Sequence, residues 1–128
     1  MPASFSKGIL GLALLSSSLQ AANTAYVELP GEGLVQGRTL WMDNCEGCHG
    51  YGIAGAPIPM QPEEWRARLQ KPKGTLYRHA IEGFFGPDDT MMPPRGGNPA
   101  LSNQQVRLAV DYMTALANHY LQITGDKP

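Results

Sequence analysis

The chain has 128 residues, a formal net charge of −1 and only two cysteines. That length holds one small domain. The absence of a basic excess excludes nucleic acid as a partner. Cysteines two residues apart would close a trivial loop if bridged, so a disulfide framework is excluded too.

The N-terminus reads as a secretory signal. Lys7 is followed by the short apolar run GILGLALL and then by SSSLQAA, which offers a cut after Ala21 or Ala22. The run is too short for a membrane helix, which takes about 20 apolar residues. We therefore expect residues 1–21 to be a cleaved signal peptide and the mature protein to be exported to the periplasm with no membrane span. No cysteine lies near the cut to carry a lipid.

Residues 22–33 form an extended lead-in broken by Pro30, Gly31 and Gly33. Residues 34–44 predict a helix, with Leu34, Gly37, Leu40 and Trp41 on one side. The group Cys45, Cys48 and His49 follows at its end. Residues 50–62 are a Gly/Pro-rich loop. Pro62 and two acids start a short helix that reaches about Gln70. Thr75 is placed to cap a second short helix that ends at Gly83. A second irregular stretch runs from Phe84 to Leu101. Ser102 and Gln105 then match a capping box. The last helix carries an apolar stripe of Val106, Val110, Met113, Ala117 and Tyr120. No alternating strand pattern is visible, so the fold is expected to be all-α. The domain spans residues 34–124, with 125–128 as a tail. Its two long loops would wrap something.

Cys45, Cys48 and His49 make a C-x-x-C-H group, which is the signature of covalent haem attachment. Two thiols so spaced reach two vinyl groups on one edge of the ring, and the next residue aims its imidazole at the iron. A zinc site would need two more ligands, and His79 and His119 are the only other histidines. A thioredoxin-like pair would need a βαβ context. One covalent haem c is therefore expected.

A methionine opposite the histidine raises the reduction potential. Met91 and Met92, held before Pro93 and Pro94, are the sixth-ligand candidates. Met113 on the helix stripe reads as core. Of the two, Pro93 aims Met92 more rigidly. His79 is the rival ligand, and His119 reads as solvated. The Pro57 carbonyl is placed to accept the Nδ1–H of His49. Trp41, Trp65, Phe84 and Phe85 are assigned to the haem wall or the core. The run Arg66, Arg68, Lys71, Lys73 and Arg78 reads as a solvated face.

The stretches CEGCHGYGIAGAP, GTLYRHAIEGFFG, MPPRGGNPALS and AVDYM together resemble class I cytochromes c, and specifically the bacterial cytochrome c5 family. The resemblance covers roughly residues 34 to 116 and implies about four helices around one haem. It selects Met92 as the axial ligand, with Met91 second, and maps the loop proline to Pro57. It also implies that the first and last helices cross with Gly37 and Trp41 against Tyr112. Some members close the loop after the methionine with a disulfide, and the sequence GGNPALS here contains no cysteine.

The function implied is a periplasmic monohaem electron carrier and not an enzyme. It would exchange single electrons with a donor and an acceptor protein, as a monomer or in transient complexes. The alternatives are the cytochrome subunit of a dehydrogenase, or a peroxidase-like or gas-binding haem protein with a labile sixth ligand.

Overall fold

The computed structural model describes residues 26–124. The expected signal peptide, the first lead-in residues and the tail lie outside the described residues. The chain forms α1 (Leu34–Asn44), α2 (Glu46–His49), α3 (Arg66–Leu69), α4 (Lys73–Glu82) and α5 (Asn103–Ile123). Between α4 and α5 sits a small antiparallel hairpin of β1 (Phe84–Phe85) and β2 (Met91–Met92). Single 3₁₀ turns occupy Ile53–Gly55, Pro62–Glu64 and Pro94–Gly97. The fold is mostly helical, as expected.

α5 is the backbone of the molecule. Its start is fixed by the capping box: the Gln105 N–H donates to Ser102 Oγ at 3.1 Å, and the Ser102 N–H donates to Gln105 Oε1 at 2.9 Å. Its stripe of Val106, Val110, Met113 and Ala117 is buried, with Tyr120 half-buried. α1 crosses this helix at Gly37. A Cβ there would sit 2.3 Å from the Leu108 carbonyl oxygen and 3.1 Å from Tyr112 Cβ, so the position admits only glycine. Trp41, Tyr112 and Leu116 are all 0% exposed beside the crossing. Burying each contributes about 2 kcal/mol or more.

The lead-in is part of this packing, which its Pro/Gly composition did not reveal. Tyr26 is buried and sets its ring edge-on against Trp41 at 4.7 Å. The Tyr112 hydroxyl donates to the Val27 carbonyl at 2.8 Å, and Arg38 Nε donates to the Tyr26 carbonyl at 2.6 Å. Glu46 accepts from both Tyr26 and Tyr51.

α4 begins at Lys73, two residues before the expected cap, with Pro72 at its N-cap. Proline presets the entry to the helix, so Thr75 lies inside it and caps nothing. The expected helix at 62–70 divides into the turn Pro62–Glu64 and α3, with Trp65 between them. Lys73 Nζ donates to Thr114 Oγ1 at 2.8 Å and to Asp111 Oδ1 at 3.2 Å, and the Tyr77 hydroxyl also donates to Asp111. These bonds fasten α4 to α5 around Ala80, Val106 and Val110.

The hairpin is the main departure from the sequence reading. Its turn carries Asp88 and Asp89 at φ 58 each, with the Thr90 N–H donating to the Pro87 carbonyl at 3.2 Å. Two successive left-handed residues make a type I′ turn, whose twist suits a tight hairpin. Phe84 pairs with Met92, and Phe85 with Met91.

Candidate functional site

Cys45 ends α1, its N–H donating to the Trp41 carbonyl at 2.8 Å, and Cys48 and His49 follow in α2. Both cysteines are free thiols. Burial, and then the neighbouring Cys48, push the Cys45 thiol up to about 11. That disfavours the thiolate a disulfide-exchange pair needs. Cys48 is exposed, while His49 is 7% exposed.

His49 is oriented as the sequence reading expected. Its Nδ1 lies 2.9 Å from the Pro57 carbonyl oxygen and donates to it, which leaves Nε2 for the cavity that His49 lines. Burial lowers its pKa more than the Pro57 bond raises it, so the neutral imidazole that a metal requires is favoured.

The cavity holds about 410 Å³, within the range of small-molecule and cofactor sites. Cys45, Cys48 and His49 line it from one side, Leu76 and Ala80 of α4 from another, and Met113 and Thr114 of α5 from a third. Met91 and Met92 also reach it, but they differ. Met92 is half-buried and packs against Ala80, Val106 and Val110, whereas Met91 is 46% exposed. Successive strand side chains point to opposite faces, so the pairing of β1 with β2 turns Met92 inward. A smaller apolar void is lined by His49 and Met92 together.

The polar end of the cavity was not foreseen. Trp65 is 2% exposed, and its Nε1–H is buried without a partner. It lines the same cavity as Arg68 and Lys71. A buried donor left unpaired costs about 1–3 kcal/mol, so its presence beside two cations fits a bound group that carries carboxylates. The residues present thus fit a haem: two thiols and an imidazole at one edge, apolar walls, and donors for its carboxylates. Lys71 is exposed, as a solvated face implies, and lines only the cavity's open end, whereas Arg68 is half-buried, and a charge run gives no sign of which long side chain turns inward.

His79 is half-buried, lines the cavity and stacks on Phe84 at 4.1 Å. Burial, then Lys71 and Arg78, lower its pKa. His119 does not line the cavity, and it is half-buried with its ring edge-on to Tyr120. Trp41 is core and Phe84 lines the cavity wall, but Phe85 is 83% exposed and is neither. Its alternate position on β1 turns it outward. Among the described residues no group of three His, Cys, Asp or Glu could hold a metal ion. Among the same residues no helix is long and apolar enough to cross a membrane.

Residues 33–113 match the family described as cytochrome c oxidase, cbb3-type, subunit III. The chain is 39% identical to cytochrome c-555 of Prosthecochloris aestuarii over 62% of its own length and 84% of that protein. It is 33% identical to cytochrome c-555 of Chlorobaculum tepidum over 84% of its length and 91% of that protein. Cytochrome c5 of Ectopseudomonas mendocina is 31% identical over 57% of this chain and 80% of that protein. A chain in the crystal structure of an electron transfer complex of nitrite reductase with cytochrome c superposes with a TM-score of 0.56 at 33% identity. That superposition covers 64% of this chain and 94% of the other.

Proposed function

The chain belongs to the cytochrome c family, as a class I c-type cytochrome with one covalent haem c and an electron carrier's role, and from that premise we propose that His49 and Met92 are its axial ligands and that it serves redox partners in the periplasm. The observation that carries the ligand reading is that Cys45, Cys48, His49 and the inward-facing Met92 line one cavity. Bound haem supplies a one-electron Fe(III)/Fe(II) couple.

The protein's own groups set the terms of that couple. Cys45 and Cys48 anchor the ring edge. The Pro57 carbonyl fixes the tautomer and orientation of His49. The Met92 thioether favours the reduced iron and so raises the potential. Trp65 Nε1, Arg68 and Lys71 would hold the carboxylates, and Leu76, Ala80 and Met113 would keep water out. If His49 and Met92 both hold the iron, a substrate would have no place to bind it, as a carrier requires.

Exposed Cys48 and the exposed side chains of Ile53, Phe84 and Met91 rim the cavity and form the face that a docked partner would meet. A relative solved with nitrite reductase supports a redox enzyme as that partner.

The ligand reading is tested by paired variants. Met92→Ala should abolish the weak red-edge absorption band of a methionine–iron(III) bond, lower the potential and admit cyanide quickly. Met91→Ala should leave all three nearly unchanged. The reverse pattern would move the ligand to Met91, and no change in either variant would make His79 the leading candidate.

A further inference from the structure

The segment that follows Met92 has little core of its own. Pro94, Gly96, Gly97, Pro99 and Ala100 are exposed, and Arg95, Gly96 and Gly97 all take positive φ. Such a segment holds its place through a few specific hydrogen bonds. At one end Arg95 fastens it to α5, with Nη1 donating to the Leu101 carbonyl at 2.9 Å and Nη2 to Asn103 Oδ1 at 2.6 Å. At the other side Asn98 Nδ2 donates to Asn44 Oδ1 at 2.8 Å, across 54 residues of sequence. Both asparagines are committed in full. Asn44 Nδ2 donates to the Leu40 carbonyl at 3.0 Å, and Asn98 Oδ1 accepts from the Ala100 N–H at 3.1 Å. Beside them the backbones approach so closely that a Cβ on Gly96 would lie 3.1 Å from the Asn44 carbonyl oxygen. Asn44 immediately precedes Cys45, and both Asn44 and Gly96 line the cavity.

We infer that Asn44 and Asn98 form a clasp that positions Met92, by fastening the segment after it to the helix end that carries the haem attachment. The inference rests on Met92 being the sixth ligand. Movement of β2 and the segment from Pro93 onward away from α1 would carry the Met92 sulfur off the iron. The clasp is the side-chain bond that resists this movement, since it joins the two segments that bear the two sides of the site. The asparagines touch neither sulfur nor iron, so their role is positioning.

The test uses the haem-loaded protein and imidazole as the probe. In wild type the red-edge band should be present and imidazole should bind the ferric iron slowly, limited by departure of Met92. Asn98→Ala and Asn44→Ala should each speed that binding roughly five- to tenfold, the scale of one partly buried hydrogen bond. The double variant should be accelerated by clearly less than the product of the two single effects, because both single variants already remove the shared bond. Asn98→Asp removes the donor to Asn44 while keeping the acceptor for Ala100, and it serves if the alanine variants fail to load haem. Tyr112→Phe, which removes the α5 bond to Val27 and lies outside this segment, should lower thermal stability without changing the imidazole rate. Wild-type rates in the asparagine variants overturn the clasp, as does additivity in the double variant or equal acceleration by Tyr112→Phe. A wild type without the band overturns the Met92 reading itself, and the clasp with it.

Discussion

Where α1 crosses α5, protein atoms fill the space. The Gly37 backbone rests on Leu108, fully buried Trp41, Tyr112 and Leu116 surround it, and Tyr26 seals the edge. On the other side of α5, α4, the hairpin and the loop at 50–62 face one another across the cavity. Among the described residues the buried cluster on this side is Ala80 of α4 with Val106 and Val110 of α5. The first region is finished by its sequence. The second needs a ring to pack against, which is how a domain this small can keep long loops in fixed positions.

The largest expected effect breaks the second region alone. Replacing both Cys45 and Cys48 with alanine should abolish covalent haem on a stained denaturing gel. The resulting apoprotein should lose most of its helix content, and hydrogen exchange should leave residual protection in α1 and α5 only. Cooperative unfolding with holoprotein-like helicity would show that the cavity side needs no ring.

The complementary break is Gly37→Val. Its branched side chain would press on the Leu108 carbonyl, so we expect a loss of about 2–3 kcal/mol in denaturant unfolding of the holoprotein. The red-edge band should survive in the variants that still fold. A loss below about 0.5 kcal/mol would mean that the helices separate easily there.

A smaller effect lies in the pH dependence of the cavity side. Burial and the cations Lys71 and Arg78 hold the folded pKa of His79 below its ordinary value of 6.5. The unfolded chain then binds the proton more readily. Stability from this group is complete above the unfolded pKa and is lost as pH falls toward the folded one. His79→Gln should flatten the stability profile below about pH 6.5 and leave it unchanged above. An unaltered acid slope would assign that dependence to other groups.

The smallest change concerns the hairpin turn. Asp89 adopts φ 58, a conformation that glycine takes without strain. Asp89→Gly should stabilise the holoprotein by about 0.5 kcal/mol by thermal unfolding, since Asp-Gly is a favoured type I′ pair. Destabilisation would show that the Asp89 side chain holds the turn.

These two regions also differed in how readily they were read. Residues 34–44 and the capped, striped α5 are long and periodic, so their local pattern matched their structure. The Cys45–Cys48–His49 group and Pro57 were legible because their chemistry sets a short-range spacing. β1 and β2 are two residues each, too short for any alternation to register. Arg68 belongs to a charge run, and only the packing of α3 turns it toward the cavity. Tyr26 sits alone among loop residues and offers no periodicity. Asn44 and Asn98 meet only because α1 and the segment after β2 are brought together, and no local pattern marks such a pair.

On the ligand reading proposed above, the hairpin register would make the electronic character of the iron a matter of counting. Phe84 stands opposite Met92 and Phe85 opposite Met91, and parity along the strand decides which sulfur faces inward. Lengthening or shortening the turn at 86–90 by one residue would slide that pairing by one step. The outward thioether would then exchange places with the inward one, with the composition of the binding site unchanged. Drift in the length of this turn is therefore a route by which a relative could re-tune or lose its ligand while every ligand-type residue remains in its sequence.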